Sequence, residues 1–179
     1  MKNMILLVVD VQTLLVQEHP YHEAEVLGNI KRLIDEARSN QVEIIYVRHD
    51  DGVGTELEVG TPGWQIYPSV APEGHEKIVD KQFNSAFHKT DLHTYLLQKG
   101  IDTLMLVGMQ TEYCIDATLR SAFDLGYKIL IPIETNTTYD NAYMNAQTLL
   151  DYYHDAIWDK RFAQVISMKQ AIDEFSTVR

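Results

Sequence analysis

Thr103-Leu104-Met105-Leu106-Val107-Gly108-Met109-Gln110-Thr111-Glu112-Tyr113-Cys114 is the stretch whose reading decides the fold of this chain. Residues 103–107 form a β-favourable apolar run, as expected of a strand covered on both faces. A polar turn follows Gly108, and then Ile115, Leu119, Ala122 and Phe123 recur at helical spacing. A strand that runs through a tight turn into an amphipathic helix is half of a parallel β-α-β unit. Cys114 stands in the first turn of that helix, just past the C-terminal end of the strand. Backbone N–H groups and the helix dipole favour a thiolate there. It is the only cysteine in the chain. Position alone is equally compatible with a thiol packed as a small hydrophobe.

The same alternation extends outward in both directions. Met4 to Val9 is a second continuous apolar run, and residues 23–40 place Val26, Ile30, Leu33, Ile34 and Ala37 on one helical face. Further strands are predicted at 42–47, 77–79 and 128–131, with a short last one at 156–158. Helices are predicted around Leu92, Leu96 and Leu97, over 115–125 with an Asp116/Arg120 pair on its flank, over 141–153, and from an N-cap at Ser167 to Phe175. This pattern implies an α/β fold in three layers. Its centre is an open, mostly parallel, Rossmann-like six-stranded sheet with helices on both faces. Residues 49–76 break the alternation and hold five of the 9 glycines and three of the 5 prolines. Trp64 and Tyr67 in that segment argue for an ordered wall rather than a disordered linker.

Composition narrows the function. The 179 residues suit one domain over 1–179. A formal net charge of −11 leaves no basic excess for nucleic acid or an anionic membrane surface. No apolar run approaches the roughly 18 residues a membrane span needs, and the run at 4–9 is too short for a secretion signal. A single cysteine excludes an intrachain disulfide and fits a reducing compartment. A cytoplasmic protein is the expectation.

In open α/β sheets, ligands bind outside the carboxyl ends of the strands. Asp10 follows the first predicted strand, Lys81 the third and Cys114 the fourth. The three form a coherent set: a thiol nucleophile, a carboxylate to take its proton and an ammonium to offset the charge. A carboxylate in water is too weak a base for a thiol, so Asp10 would need a buried setting. No histidine falls at an equivalent predicted strand end, which disfavours a Cys-His dyad. Asp10 as a phosphoryl acceptor is disfavoured too, because Asp10-Val11-Gln12 offers no neighbouring carboxylate for Mg²⁺.

Val8-Val9-Asp10-Val11-Gln12, Lys81 with Ser85-Ala86-Phe87, and the Gly-x-x-Thr-x-x-Cys of Gly108 to Cys114 together resemble the isochorismatase-like cysteine hydrolases. That family includes nicotinamidases and N-carbamoyl amidases, and the resemblance covers nearly the whole chain. It implies a six-stranded parallel sheet and an Asp10, Lys81, Cys114 triad. It also implies a cis peptide between Met109 and Gln110, with an oxyanion hole made by the N–H groups of Gln110 and Cys114. The reaction implied is thiolate attack on the amide carbonyl of a small molecule, loss of ammonia or an amine, and hydrolysis of the thioester. The same resemblance implies a homo-oligomer and no cofactor. The alternative is a non-catalytic small-molecule-binding or assembly module on the same fold.

Some positions depart from the family pattern. Nicotinamidases carry a metal-binding Asp-x-His where this chain has Arg48-His49-Asp50-Asp51. His49 and Asp51 are ligand types, but the reading favoured for them is a solvated loop without metal. His19 and His22 likewise read as surface residues. True isochorismatases act on an enol ether and lack the cysteine, so Cys114 argues against that substrate. His88-Lys89 and Glu134-Thr135 replace the family's glycine and Asp-Ala. Leu15, Trp64, Phe83, Phe87 and Tyr113 are the candidates for the substrate pocket, with ordinary core packing as the competing explanation. The Pro-Gly-Trp-Gln run around Trp64 resembles the streptothricin-hydrolase-like members.

Overall fold

Every residue of strand β1 (Met4–Val9) is buried, because it lies in the middle of a sheet with partners on both sides. Alternate side chains enter two separate cores: Leu6 and Val8 pack on one face, Ile5, Leu7 and Val9 on the other. This explains why the run is continuously apolar rather than alternating. The computed structural model describes residues 3–177. The remaining strands are β2 (Glu43–His49), β3 (Lys77–Lys81), β4 (Thr103–Met109), β5 (Lys128–Pro132), β6 (Asn136–Thr137) and β7 (Gln164–Ile166). They pair in the order β3-β2-β1-β4-β5-β7, with β6 beside the end of β4, and all these pairings are parallel.

Helices cover both faces. Val26, Ile30, Leu33 and Ile34 of α2 (Glu23–Ser39) and Phe175 of α6 (Met168–Phe175) fill one core. Leu92 and Leu96 of α3 (Leu92–Gln98) and Leu119 and Ala122 of α4 (Asp116–Asp124) fill the other. Two shorter helices, α1 (Thr13–Gln17) and α5 (Ala146–Asp151), complete the set. Ser167 caps α6 in a reciprocal box with Gln170, as its position in the sequence predicts. Arg120 pairs with Asp116 on α4 at 2.8 Å. None of the helices among the described residues is long and apolar enough to cross a membrane.

The structure departs from the sequence reading in the C-terminal third. Ala156-Ile157-Trp158 is not a strand. α5 starts only at Ala146, capped by the Asn145 side chain, and continues as a π-helical turn, Tyr152–Trp158. That turn seats the fully buried Trp158 in the core and lets its indole N–H donate to Asp116 Oδ1 at 2.8 Å. The edge strand comes later, at β7. The short β6 went unpredicted because its two residues are polar and carry no periodicity. It nonetheless lies in a fully buried row, Thr135 to Thr138. β2 and β3 each run two residues beyond their predicted ends, to His49 and Lys81.

The ends of β1 and β4 approach so closely that one position admits only glycine. Gly108 has φ +124°, and a Cβ there would lie 2.0 Å from the Val9 carbonyl oxygen. Val9 and Gly108 are register partners, so this contact sets how near Asp10 comes to the turn that carries Cys114. Gly108→Ala is expected to destabilise the protein by about 3 kcal/mol or more, since backbone on both sides must move. Denaturant unfolding of the purified variant measures this, and a loss under about 1 kcal/mol would refute it.

Candidate active site

Three strand ends and one turn build the site. Asp10 leaves β1 in a left-handed conformation, φ 52°, with its N–H donating to the Val47 carbonyl at 3.1 Å. Short polar residues tolerate that conformation better than most, but it is sparsely populated, and here it accompanies a buried carboxylate. Lys81 ends β3 with its side chain wholly buried. Cys114 lies in a π-helical turn, Thr111–Ile115, which runs directly into α4. Thr111 pins the turn: its one hydroxyl hydrogen is shared between Asn136 Oδ1 at 2.9 Å and the Thr137 carbonyl at 3.2 Å. The Met109–Gln110 peptide that precedes the turn is cis.

The Lys81 ammonium donates to Asp10 Oδ2 at 2.6 Å, to His49 Nδ1 at 3.0 Å and to Cys114 Sγ at 3.3 Å. Burial works against this ammonium, yet the Asp10 carboxylate and the Cys114 sulfur outweigh it and hold its pKa above the usual lysine value. The thiol is pushed the other way from reactivity. Burial first, and the Asp10 carboxylate second, raise its pKa well above that of an ordinary cysteine, and Lys81 offsets this only in part. The sequence expectation of a thiolate favoured by the first helical turn is therefore overturned for the resting protein. Asp10 and Lys81 already neutralise each other, so a thiolate would be an unbalanced third charge. The other carboxylate oxygen, Asp10 Oδ1, is buried and has no hydrogen-bond partner.

A histidine does stand at a strand end, contrary to the sequence reading. His49 closes β2, and its mostly buried ring touches Lys81. Its Nε2 is 2.7 Å from Asp51 Oδ1. Its backbone is held by Gln12, a fully buried side chain whose Oε1 accepts the His49 N–H at 2.8 Å and whose Nε2 donates to the carbonyls of His49 and Trp64, both at 2.9 Å. Gln12 thereby ties the end of β2 and the long loop to the exit of β1. Asp10, His49 and Cys114 offer ligand atoms within 4.8 Å of one another, a donor set that would suit a divalent metal. Lys81 Nζ is already in contact with all three, so the cation at their centre is the chain's own.

A cavity of about 150 Å³ opens on Cys114, lined by Asp10, Leu15, His49, Asp51, Leu57, Asn84, Met109, Gln110, Tyr113 and Cys114. Leu15, Tyr113 and Gln110, each singled out from the sequence, are thus brought to the thiol. The other three aromatic candidates stand elsewhere. Trp64 is buried under the Arg48 guanidinium, 3.6 Å from its ring centroid. Phe87 stacks on Tyr127, and Phe83 lines a neighbouring cleft with His88 and Lys89. His19 and His22 are exposed and pair with Glu23 and Glu25. Gln12, His49 and Asn84 are the site residues that sequence reasoning missed or set aside. For Gln12 the signal was present, as the last residue of the Val8-Val9-Asp10-Val11-Gln12 motif at the end of the first strand.

Comparison with known proteins agrees with this geometry. Residues 4–170 match the family model described as the isochorismatase domain. The streptothricin hydrolase of Streptomyces noursei is 34% identical over 137 residues, covering 75% of this chain and 50% of that protein. The chain thus spans about half the length of the curated relatives it matches first. Among solved structures, an isochorismatase family protein superposes with a TM-score of 0.86 at 32% identity, covering 93% of this chain and 99% of that one. A cysteine hydrolase from Pseudomonas syringae pv. phaseolicola 1448A superposes with a TM-score of 0.89 at 25% identity, covering 98% and 93% of the two chains.

Two outcomes follow from the site's interior. Gln12→Leu strips partners from three backbone groups at once and is expected to lower stability by about 3 kcal/mol or more, measured by urea unfolding. A loss below about 1 kcal/mol would show that those groups find other partners. The second concerns pH. The folded thiol keeps its proton at pH values where the unfolded thiol, with a pKa near 8.5, has lost it. Its contribution to stability is therefore complete below about pH 8.5 and falls as pH rises, by about 1.4 kcal/mol per pH unit. Between about pH 8.5 and 9.5, below the value of about 10 at which tyrosines titrate in the unfolded chain, Cys114→Ala is expected to flatten that decline. Equal slopes for the two proteins would refute the raised thiol.

Proposed function

The chain belongs to the isochorismatase family, and from that premise we propose that it is a cysteine hydrolase that cleaves the C–N bond of a small amide through a thioester on Cys114. One observation carries the reading: a thiol, a carboxylate with an unpartnered oxygen and a buried ammonium meet at the mouth of a small cavity. As Cys114 Sγ bonds to the substrate carbonyl, its proton passes to Asp10, and the negative charge moves to the carbonyl oxygen. No moment of the step then leaves two buried anions beside one cation. The N–H groups of Gln110 and Cys114 serve as donors to that oxygen. Collapse of the intermediate breaks the C–N bond, and Asp10 returns the proton to the departing amine. Water then attacks the thioester, its proton goes to Asp10, and the carboxylic acid leaves as the thiol is re-formed.

The cavity's size bears on the substrate. At about 150 Å³ it is well below the roughly 300–1,000 Å³ of sites that enclose drug-sized ligands. The acyl portion is therefore small, and a larger amine portion would extend outward past Tyr113 and Asn84. Leu15, Leu57 and Met109 supply apolar contact, while Asp51 and Asn84 supply polar contact. The positions of Trp64, Phe83 and Phe87 in the sheath around the site suit a supporting role there. Tyr113, about half exposed, lines the mouth, where a second copy in a homo-oligomer would cover it.

Ammonia or amine release from a panel of small primary amides, carbamoyl compounds and lactams tests the proposal. Cys114→Ala is expected to abolish turnover of any accepted amide, and Asp10→Asn to lower kcat by about 10²-fold or more, as loss of general acid–base chemistry does. Rapid acid quench followed by intact mass measurement should catch the acyl adduct on the wild type. Turnover that survives Cys114→Ala would end the thioester mechanism. Binding of amides without turnover or adduct would favour a binding module instead.

A further inference from the structure

The Lys81 ammonium has three hydrogens and, within its buried setting, three acceptors: Asp10 Oδ2, Cys114 Sγ and His49 Nδ1. Two of these belong to the proposed triad. The third comes from a residue that no part of the mechanism uses. A protonated amine can only donate, so the His49 nitrogen facing it must carry a bare lone pair. Asp51, a carboxylate 2.7 Å from the opposite nitrogen, can only accept, which places the ring proton on Nε2. The backbone of His49 is held from both sides by Gln12, which fixes the point from which the ring projects, and the Lys81 and Asp51 contacts fix its orientation. Asp51 thus selects the tautomer, Gln12 sets the location, and the imidazole presents one acceptor at a fixed point.

We propose that His49 is a positioning residue of the reaction: with Asp51 fixing its tautomer, it takes the third hydrogen of the Lys81 ammonium and holds that cation in place beside the Cys114 sulfur. Two acceptors alone would let the ammonium pivot about the short Asp10 contact, away from the more distant sulfur. With the third in place it stays where it stabilises negative charge as it develops on sulfur. The groups facing the imidazole are Lys81 from β3, Asp51 beyond the end of β2, Asp10 after β1 and Cys114 from the turn after β4. The proposal rests on reading Cys114 as the nucleophile. Its test follows alkylation of the thiol rather than hydrolysis, so the two can fail separately.

The experiment is the rate of Cys114 carboxamidomethylation by iodoacetamide, followed by intact mass from pH 6 to 10 on the full chain. His49→Ala, His49→Asn and Asp51→Ala are compared with the wild type, and thermal unfolding checks that each variant is folded. His49→Ala is expected to react about tenfold more slowly than the wild type at every pH from 8 to 10, where both rates still rise with pH, the size of effect seen when one hydrogen bond to a charged group is lost. His49→Asn keeps an acceptor at the same branch of the side chain and is expected to recover most of the rate. Asp51→Ala is expected to fall between the two, as the tautomer is released. A folded His49→Ala with an unchanged or faster profile overturns the proposal, as does an Asn variant no better than Ala. If His49→Ala does not fold, Asp51→Ala decides: a profile identical to the wild type overturns the proposal, and slower alkylation supports it.

Discussion

Two opposite charges stand together almost wholly buried: the Lys81 ammonium and the Asp10 carboxylate, with side chains 0% and 1% exposed and 2.6 Å apart. Either one alone in that position would cost several kcal/mol, so each requires the other. The requirement reaches across the sheet. Asp10 ends the central strand and Lys81 ends a strand two places away, with β2 between them. The pair therefore closes over the end of β2, and the residue found there, His49, is drawn into contact with the ammonium. A polar cluster of this kind is demanding, because each member must be satisfied or the whole arrangement loses its advantage.

The same pairing explains how a thiol can be both protected and usable. A carboxylate and an ammonium that cancel one another leave nothing spare to stabilise a resting thiolate, and burial penalises it further. In the proposed reaction, reactivity is thus tied to the arrival of a carbonyl that can accept the charge. The spare oxygen of Asp10 gives the proton somewhere to go at that moment. Activation coupled to substrate in this way differs from the strongly lowered thiol pKa of enzymes that rely on an imidazolium partner.

Much of the fold was legible because buried parallel strands leave long apolar runs and their helices leave clear periodicity. Met4–Val9 and Thr103–Met109 announced themselves, and so did the Ser167 cap of α6. Asp10, Lys81 and Cys114 were legible as chemically useful side chains at the ends of such runs. The failures have physical reasons. Trp158 sits in a β-favourable triplet, but a buried hydrogen bond to Asp116 holds it in a π-helical turn. β6 is two polar residues, whose pairing is decided by the neighbouring strand rather than by their own pattern. His49 was read as loop because charged residues follow it, whereas Gln12, distant in sequence, holds it in the strand. Trp64, Phe83 and Phe87 looked like pocket lining, and a sequence of aromatic residues does not say which way each ring faces.

The three hydrogen bonds of Gln12 have one more consequence. They bind the loop around Trp64 and the end of β2 to β1 as a single rigid panel, which forms one side of the cavity. A panel stitched in that manner holds its place, and Asn84 and Tyr113, which also line the cavity, are open to water. Bulk added at Asn84 or Tyr113 would narrow the entrance while leaving that panel as it stands.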